Sequence, residues 1–338
     1  MSVDASASAA RLAAEEPLVS VVTAFYNRGY VLRETLDCLL AQTLTNIEII
    51  VIDDGSTDDT AAILRSYDDP RIRPMIQRNA GLVASLNRAI RSARGRYVAI
   101  HGSGDISYPT RLEKQAAYLE TNPQVGAVGC VRRAGRAVVG PTDAVLRGPM
   151  LERMLWKNPF THGEVMYRRD LWNEVGGYRE IFTFAQDRDL WLRMGRKGCD
   201  YAVLNELLYD REYQADGVAK MPHKLFLQTK LSQFAVQNAQ QLDHRQRDLI
   251  DRFGPSAFFL VQPDRMLARK YTLWGLRALR DGHEDGAATF LPAGWREWRN
   301  VYTFAGITAW RLNKVKPLRG VVRAVLKAGT PNHAPEID

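Results

Sequence analysis

The sequence predicts an α/β fold: a Rossmann-like, mainly parallel sheet with flanking helices, followed by a mainly helical C-terminal extension. Two observations carry this expectation. Over the first half of the 338 residues, short β-branched runs alternate with segments whose apolar residues recur at helical spacing. After residue 220 the strand-like runs stop and only helical patterns remain. The organisation expected is a disordered lead over 1–16, an α/β domain over 17–220, and a helical extension with a basic tail over 221–338.

The elements follow in order. Residues 18–25 are rich in Val (Val19, Val21, Val22) and read as the first strand. Residues 30–42 place Val31, Leu32, Leu36, Leu39 and Leu40 on one helical face. The run 47–52 is a second buried strand, and 57–67 a helix for which Ser56 or Thr57 is the expected N-cap. A third strand is expected over 71–76, a helix over 82–93 and a fourth strand over 97–101. Pro109 opens a helix that runs to Leu119, in the first turn where proline is tolerated. A further strand covers 125–131. Beyond residue 220, helices are expected over 225–253, 266–280, 285–291 and 302–327.

Composition narrows the function classes. With 46% hydrophobic and 25% charged residues the chain can bury a sizeable core. Cys38, Cys130 and Cys199 are far apart, which argues against a disulfide framework or a structural zinc and favours a reducing cytoplasm. The N-terminus has no charged and then apolar signal pattern, and no apolar run approaches a membrane-spanning length. The net charge of +8 attracts nucleic acid, anionic lipid and phosphorylated ligands alike, but no nucleic-acid module accompanies it.

In doubly wound folds ligands bind beyond the carboxyl ends of the strands. Three polar clusters fall there: Tyr26 to Arg28, Asp53 to Ser56, and His101 to Asp105. Taken alone, Asp53-Asp54 reads equally as a pair of ligand-facing acids and as acids favoured at a helix N-terminus. Taken in order, Ser20 to Asn27, Asp53 to Asp58, Asn79 to Leu82 with Asn87, and Gly95 to Tyr97 resemble the nucleotide-binding half of family 2 glycosyltransferases, over roughly 18–215. The resemblance implies a GT-A fold and inverting sugar transfer from a nucleotide-diphosphate donor to a hydroxyl of a glycan or lipid-linked acceptor. It implies hexosyl or deoxyhexosyl transfer in surface polysaccharide or glycoconjugate synthesis. Ala24, Tyr26 and Asp54 then hold the nucleoside, with Arg78 a partner for base or phosphate or simply a solvated arginine.

The family's metal loop departs from pattern. The register fixed by Pro109 and by Arg111 to Gln115 puts Gly102 and Gly104 where its acids stand, and leaves Asp105 as the one acid for phosphate or metal. A Mg²⁺ or Mn²⁺ cofactor is implied by the resemblance and opposed by these glycines. Glycines there also let backbone N–H groups approach phosphate. In 184–193, Asp187 matches the family's general base, Gln186 replaces its usual glutamate, and Asp189 is expected to pair with an arginine. The alternative for Asp187 is a plain helix cap. His162 is placed on the acceptor side or, as a bland alternative, in the core. Arg211, with Lys220, is expected to neutralise the leaving diphosphate, because the metal loop is depleted.

Six cations and no acid mark 311–327, a face for an anionic membrane or a solvated helix packed on its own domain. The localisation expected is cytoplasmic, peripheral at the inner face of the cell membrane. Two rivals stand: a binding or scaffold protein on a catalytically disabled GT-A fold, and a nucleotidyltransferase, which lacks its basic glycine-rich loop here.

Overall fold

Hydrophobic continuity decides the centre of the sheet. Strand β2 (Ile47–Asp53) is buried along its whole length, and β1 (Val19–Phe25) and β4 (Tyr97–His101) nearly so, as strands covered on both faces must be. In the computed structural model, which describes residues 16–142, 144–212 and 221–329, β1 pairs in parallel with β2 (Val19 opposite Ile47) and with β4 (Val19 opposite Tyr97). The remaining strands are β3 (Ile72–Ile76), β5 (Ile106–Ser107), β6 (Val125–Ala134), β7 (Ala137–Val139), β8 (Leu146–Pro149), β9 (Met166–Arg168) and β10 (Asp200–Arg211). Among the described residues the order is β3-β2-β1-β4-β9-β6-β10-β5, with β7 on β6 and β8 on β10. The first four are parallel; β9 runs antiparallel between β4 and β6, which the sequence reading had not anticipated. Because β2 and β4 flank β1 on opposite sides, the chain reverses its winding there, and a crevice opens beyond the ends of β1 and β4.

Among the described residues seven helices accompany this sheet: α1 (Gly29–Leu40), α2 (Thr60–Arg65), α3 (Leu82–Ser92), α4 (Arg111–Thr121), α5 (Met150–Trp156), α6 (Arg169–Glu174) and α7 (Gln186–Gly195). Leu32, Leu36 and Leu39 of α1 and Leu112 and Leu119 of α4 join Val21, Ile49, Val51 and Ala99 in one core. Helix α2 starts later than expected. Ser56 and Thr57 do not cap it. The Ser56 hydroxyl accepts from Asn27 N at 2.9 Å, Thr57 N donates to Asn27 Oδ1 at 2.7 Å, and Asp58 Oδ2 accepts from Gly29 N at 3.0 Å. Ser56 and Asp58 thus bond the backbone of the neighbouring β1–α1 loop, Asn27 holds the Thr57 amide in return, and the other Asp58 oxygen accepts from Thr60 N at 3.1 Å at the start of the helix.

A second compact unit lies within 221–329. It comprises α8 (Pro222–Gln240), α9 (Leu249–Phe253), α10 (Arg265–Asp281), α11 (Glu284–Glu297), α12 (Val301–Asn313) and α13 (Lys316–Gly329). Leu225, Tyr271 and Phe290 form one cluster; Leu279, Leu291 and Ile307 form another, with Trp295 and Trp310 packed against it. The single helix expected over 225–253 is two, because Asp248 begins a new capping box with Asp251. The helix expected over 302–327 likewise breaks between Asn313 and Lys316, next to Pro317. The expected lead over 1–16, except Glu16, and residues 213–220 lie outside the described residues.

Glu48 is a buried acid near the start of β2, whose interior from Ile49 to Ile52 is apolar. It accepts from the Ser20 hydroxyl and from Arg94 N, both at 2.6 Å, and pairs with Arg73. Burial alone would raise its pKa, but Ser20, the Arg94 amide and Arg73 outweigh burial and hold it below the usual glutamate range. A lowered folded pKa adds stability above the unfolded value and loses it as pH falls through the folded one. Glu48→Gln is therefore expected to cost about 3 kcal/mol in urea unfolding at neutral pH. The deficit should shrink as pH falls from roughly 6 to 3.

Candidate active site

The end of β1 builds one wall. Ala24 is half-buried, Tyr26 is 51% exposed, and Asn27 adopts φ 53° while its side chain holds Thr57. The Arg28 guanidinium reaches across the crevice to Ser103 O at 3.3 Å, linking this loop to the one after β4. Asp54 is buried and anchors the turn after β3. It accepts from Gln77 Nε2 at 2.7 Å and from Ala80 N and Gly81 N, both at 2.9 Å. The acid read as facing a nucleoside base thus fixes the loop beside it. Arg78, on that loop, is exposed.

The loop after β4 is latched from below. The Tyr209 hydroxyl donates to Asp105 Oδ2 at 2.5 Å and accepts from Gly102 N at 3.0 Å. Glu212 N donates to Asp105 Oδ1 at 2.9 Å. A Cβ at Gly102 would lie 2.1 Å from Asp105 Oδ2, so glycine there is what lets the carboxylate turn back to the tyrosine. Gly104, at φ 92°, occupies backbone space that L side chains rarely adopt, and its N–H is held by the Thr35 hydroxyl at 3.0 Å. Of the two positions where acids were expected, Gly102 is thus glycine to clear the Asp105 carboxylate and Gly104 for its backbone conformation.

Burial raises the Asp105 pKa, against the pull of Tyr209, Glu212 N, Arg211 and Arg111. Arg211 is exposed and acts on Asp105 electrostatically. Lys220 lies outside the described residues. Fully buried Arg111 lies 4.8 Å from the Tyr209 ring centre and donates to Ile100 O at 2.9 Å and to Ser107 Oγ at 2.8 Å. Burial, with Arg111 adding to it, pushes His101 down to about 3, so the imidazole is neutral. Among the described residues no group of three or more His, Cys, Asp or Glu is placed to hold a metal ion. The one acid in the loop has both oxygens taken by protein donors, so the residues present do not fit a carboxylate-held cation.

The base candidate stands at the head of α7. Ala185 precedes the helix in the left-handed region (φ 57°), and Asp187 follows in its first turn, half-buried. Its carboxylate accepts from Asn158 Nδ2 at 3.0 Å. Asp189 pairs with Arg193 at 2.7 Å and Arg179 at 3.5 Å, as an acid on the inner face requires.

A short 3-10 turn, His162–Glu164, joins the two halves of the site. A Cβ at Gly163 would meet the Tyr209 hydroxyl at 2.3 Å and Asp105 Oδ2 at 3.0 Å. The adjacent His162 is 2.8 Å from the Tyr178 hydroxyl through Nε2 and 3.4 Å from Gln186 Nε2 through Nδ1. Burial lowers its pKa while Asp187 opposes the shift. His162 is thus a satisfied histidine whose ring contacts Gln186, the residue before Asp187, while the neighbouring Gly163 packs on the Asp105 loop. The sequence motifs point to Asp105 and Asp187 and, without a role, to Arg28, but not to the side chains of Asn158 and Tyr209. Arg28 had a signal, its place in a polar cluster at a strand end. The other two act through contacts 29 and 104 residues away in sequence.

The fold and this site define a class. The sequence matches the family described as "Glycosyl transferase family 2" over residues 20–176. It is 34% identical over 216 residues to "Putative glycosyltransferase EpsE" of Bacillus subtilis, covering 59% of this chain and 74% of that one. The chain belongs to glycosyl transferase family 2 and is a glycosyltransferase.

Among more distant relatives, chondroitin synthase of Escherichia coli is 29% identical over 201 residues, which are 58% of this chain and 29% of that one. Two solved structures share the fold. Staphylococcus aureus TarS (residues 1–349, in complex with UDP-GlcNAc) has a TM-score of 0.56 at 19% identity, covering 95% of this chain and 94% of that one. The mannosyltransferase PcManGT from Pyrobaculum calidifontis (with GDP-Man and Mn²⁺) has 0.54 at 20%, covering 95% and 91%. The fold is of the GT-A type.

Gly102→Ala forces the Asp105 carboxylate off Tyr209. It is expected to cost about 1–3 kcal/mol in urea unfolding. In an Asp105→Ala background, where the clash has no partner, most of that cost should disappear.

Proposed function

We propose that the chain is an inverting glycosyltransferase that moves a hexose or deoxyhexose from a nucleoside-diphosphate donor to a glycan hydroxyl. The observation that carries this is Asp187. It is a half-buried carboxylate at a helix head, oriented by Asn158 and tied through Gln186, His162 and Gly163 to the Asp105 loop. In one displacement, the acceptor oxygen bonds to the anomeric carbon, its proton passes to Asp187, and the bond to the nucleoside diphosphate breaks. The nucleoside lies over Ala24 and Tyr26, walled by the loop that Asp54 holds and that carries Arg78. His162 supports the acceptor side by positioning Asp187.

The diphosphate is neutralised without a divalent cation, by Arg28 and Arg211 and by backbone N–H groups of the glycine loop. What supports this is the state of Asp105, whose oxygens are both engaged. The titles of the TarS and PcManGT structures name UDP-GlcNAc and GDP-Man, which favours a nucleotide sugar. The chondroitin synthase relative favours polysaccharide or glycoconjugate synthesis.

No helix among the described residues is long and apolar enough to cross a membrane. Helix α13 bears Lys316, Arg319, Arg323 and Lys327 and exposes Leu318, Val321 and Val325. Those features suit an anionic membrane surface that presents a lipid-linked acceptor, at the cytoplasmic face.

A thermal-shift panel of UDP- and GDP-sugars tests the donor site, since a ligand of the native state raises its melting temperature. The stabilising donor is expected to give the same shift in EDTA as in Mg²⁺ or Mn²⁺; a shift that requires the cation overturns the cation-free site. With that donor, Asp187→Asn is expected to lower kcat by about 10²–10⁴-fold while keeping the thermal shift. Undiminished kcat would show that Asp187 is not the base.

A further inference from the structure

Helix α5 ends beside the base. Met150 and Met154 are fully buried, and the helix packs so closely on α7 that a Cβ at Gly195 would lie 2.5 Å from Leu151 N. Its last carbonyls are collected by Arg188, the residue after Asp187. Arg188 donates to Met154 O at 2.9 Å and 3.1 Å, to Leu155 O at 3.4 Å and to Trp156 O at 3.3 Å. Two residues beyond Trp156, Asn158 holds the Asp187 carboxylate. The backbone of Trp156 is therefore fixed from both sides by groups that also fix Asp187. Its indole is nevertheless 88% exposed.

An indole left in water forgoes the stabilisation that burial of so large an apolar surface gives. Here it stands at the end of an anchored helix, two residues before the asparagine that holds Asp187, an arrangement that suits an aromatic surface waiting for a ligand. The ligand of this rim is the molecule whose hydroxyl meets Asp187. A sugar ring presents one face of C–H groups and keeps its hydroxyls at the edge, so it packs on an aromatic face while its polar rim stays hydrated.

We propose that Trp156 is the acceptor platform, on which the sugar ring adjoining the attacking hydroxyl stacks. The proposal rests on Asp187 as the base, and the acceptor class it names is a glycan rather than a bare lipid or a protein side chain. Trp156 selects the acceptor by its ring and takes no proton.

The test uses the full chain, fluorescently labelled, on a printed oligosaccharide array, together with the nucleotide-sugar thermal-shift panel. Wild type is expected to bind a defined set of glycans. Trp156→Ala should weaken that binding at least tenfold and Trp156→Phe about twofold to threefold, with the donor thermal shift unchanged in both. Array binding needs no proton transfer. A loss in Trp156→Ala beside an unaffected kcat in Asp187→Asn would keep the platform and refute the base. Binding by Trp156→Ala within twofold of wild type overturns the proposal, as does wild type that binds no glycan. Equal loss of donor and glycan binding in Trp156→Ala also overturns it, since the indole would then be structural.

Discussion

One hydroxyl organises this site. The Tyr209 phenol, fully buried, donates a hydrogen bond to Asp105 and accepts one from the amide of Gly102. Three other features exist to permit that pair of bonds. Gly102 clears the path of the carboxylate, Gly163 clears the path of the hydroxyl, and the Arg111 guanidinium lies by the ring and offsets the charge beneath. A buried carboxylate without such partners would be costly to keep. With them, it becomes the pin between the loop after β4 and the end of β10. The 3-10 turn then packs against the pin, and the turn's histidine contacts the head of α7.

The loop after β4 thus carries little negative charge and two glycines. A loop of several acids needs a cation before it tolerates a diphosphate, by simple repulsion. This loop has one acid, turned inward. Arg28 bonds to the loop from the β1 side, and Arg211 influences its acid from β10. The electrostatic requirement on a phosphorylated ligand is therefore different in kind, and it arises from the same geometry that makes Gly102 necessary.

Much of this was legible beforehand, for reasons that differ by residue. The parallel strands were visible because burial on both faces leaves an unbroken apolar run, as in β2. Asp189 was readable as an ion-pair residue, and it meets Arg193 and Arg179. Asp187 and Asp105 stand out in the sequence because ordered motifs fix their register. The polar residues 56–58 misled: they look like helix caps, and a linear pattern does not reveal that their partners lie in the β1–α1 loop about thirty residues back. Strand β9 escaped because three residues carry too little alternation to be told from a turn. Asn158 and Tyr209 escaped because their importance lies in what they touch across the fold, not in their neighbours along the chain.

The length of β10 has a consequence for how the chain is made. Tyr209 near its end and Glu212 just past it supply the phenol and the amide that hold Asp105, across 104 and 107 positions of sequence. A chain leaving the ribosome completes β1 to β4 long before residue 209 appears, and folding during synthesis proceeds from the N-terminal side. The loop after β4 thus emerges without its fastening, and its carboxylate stays in water until the final strand arrives. The assembled site therefore also marks a chain synthesised at least to the end of β10.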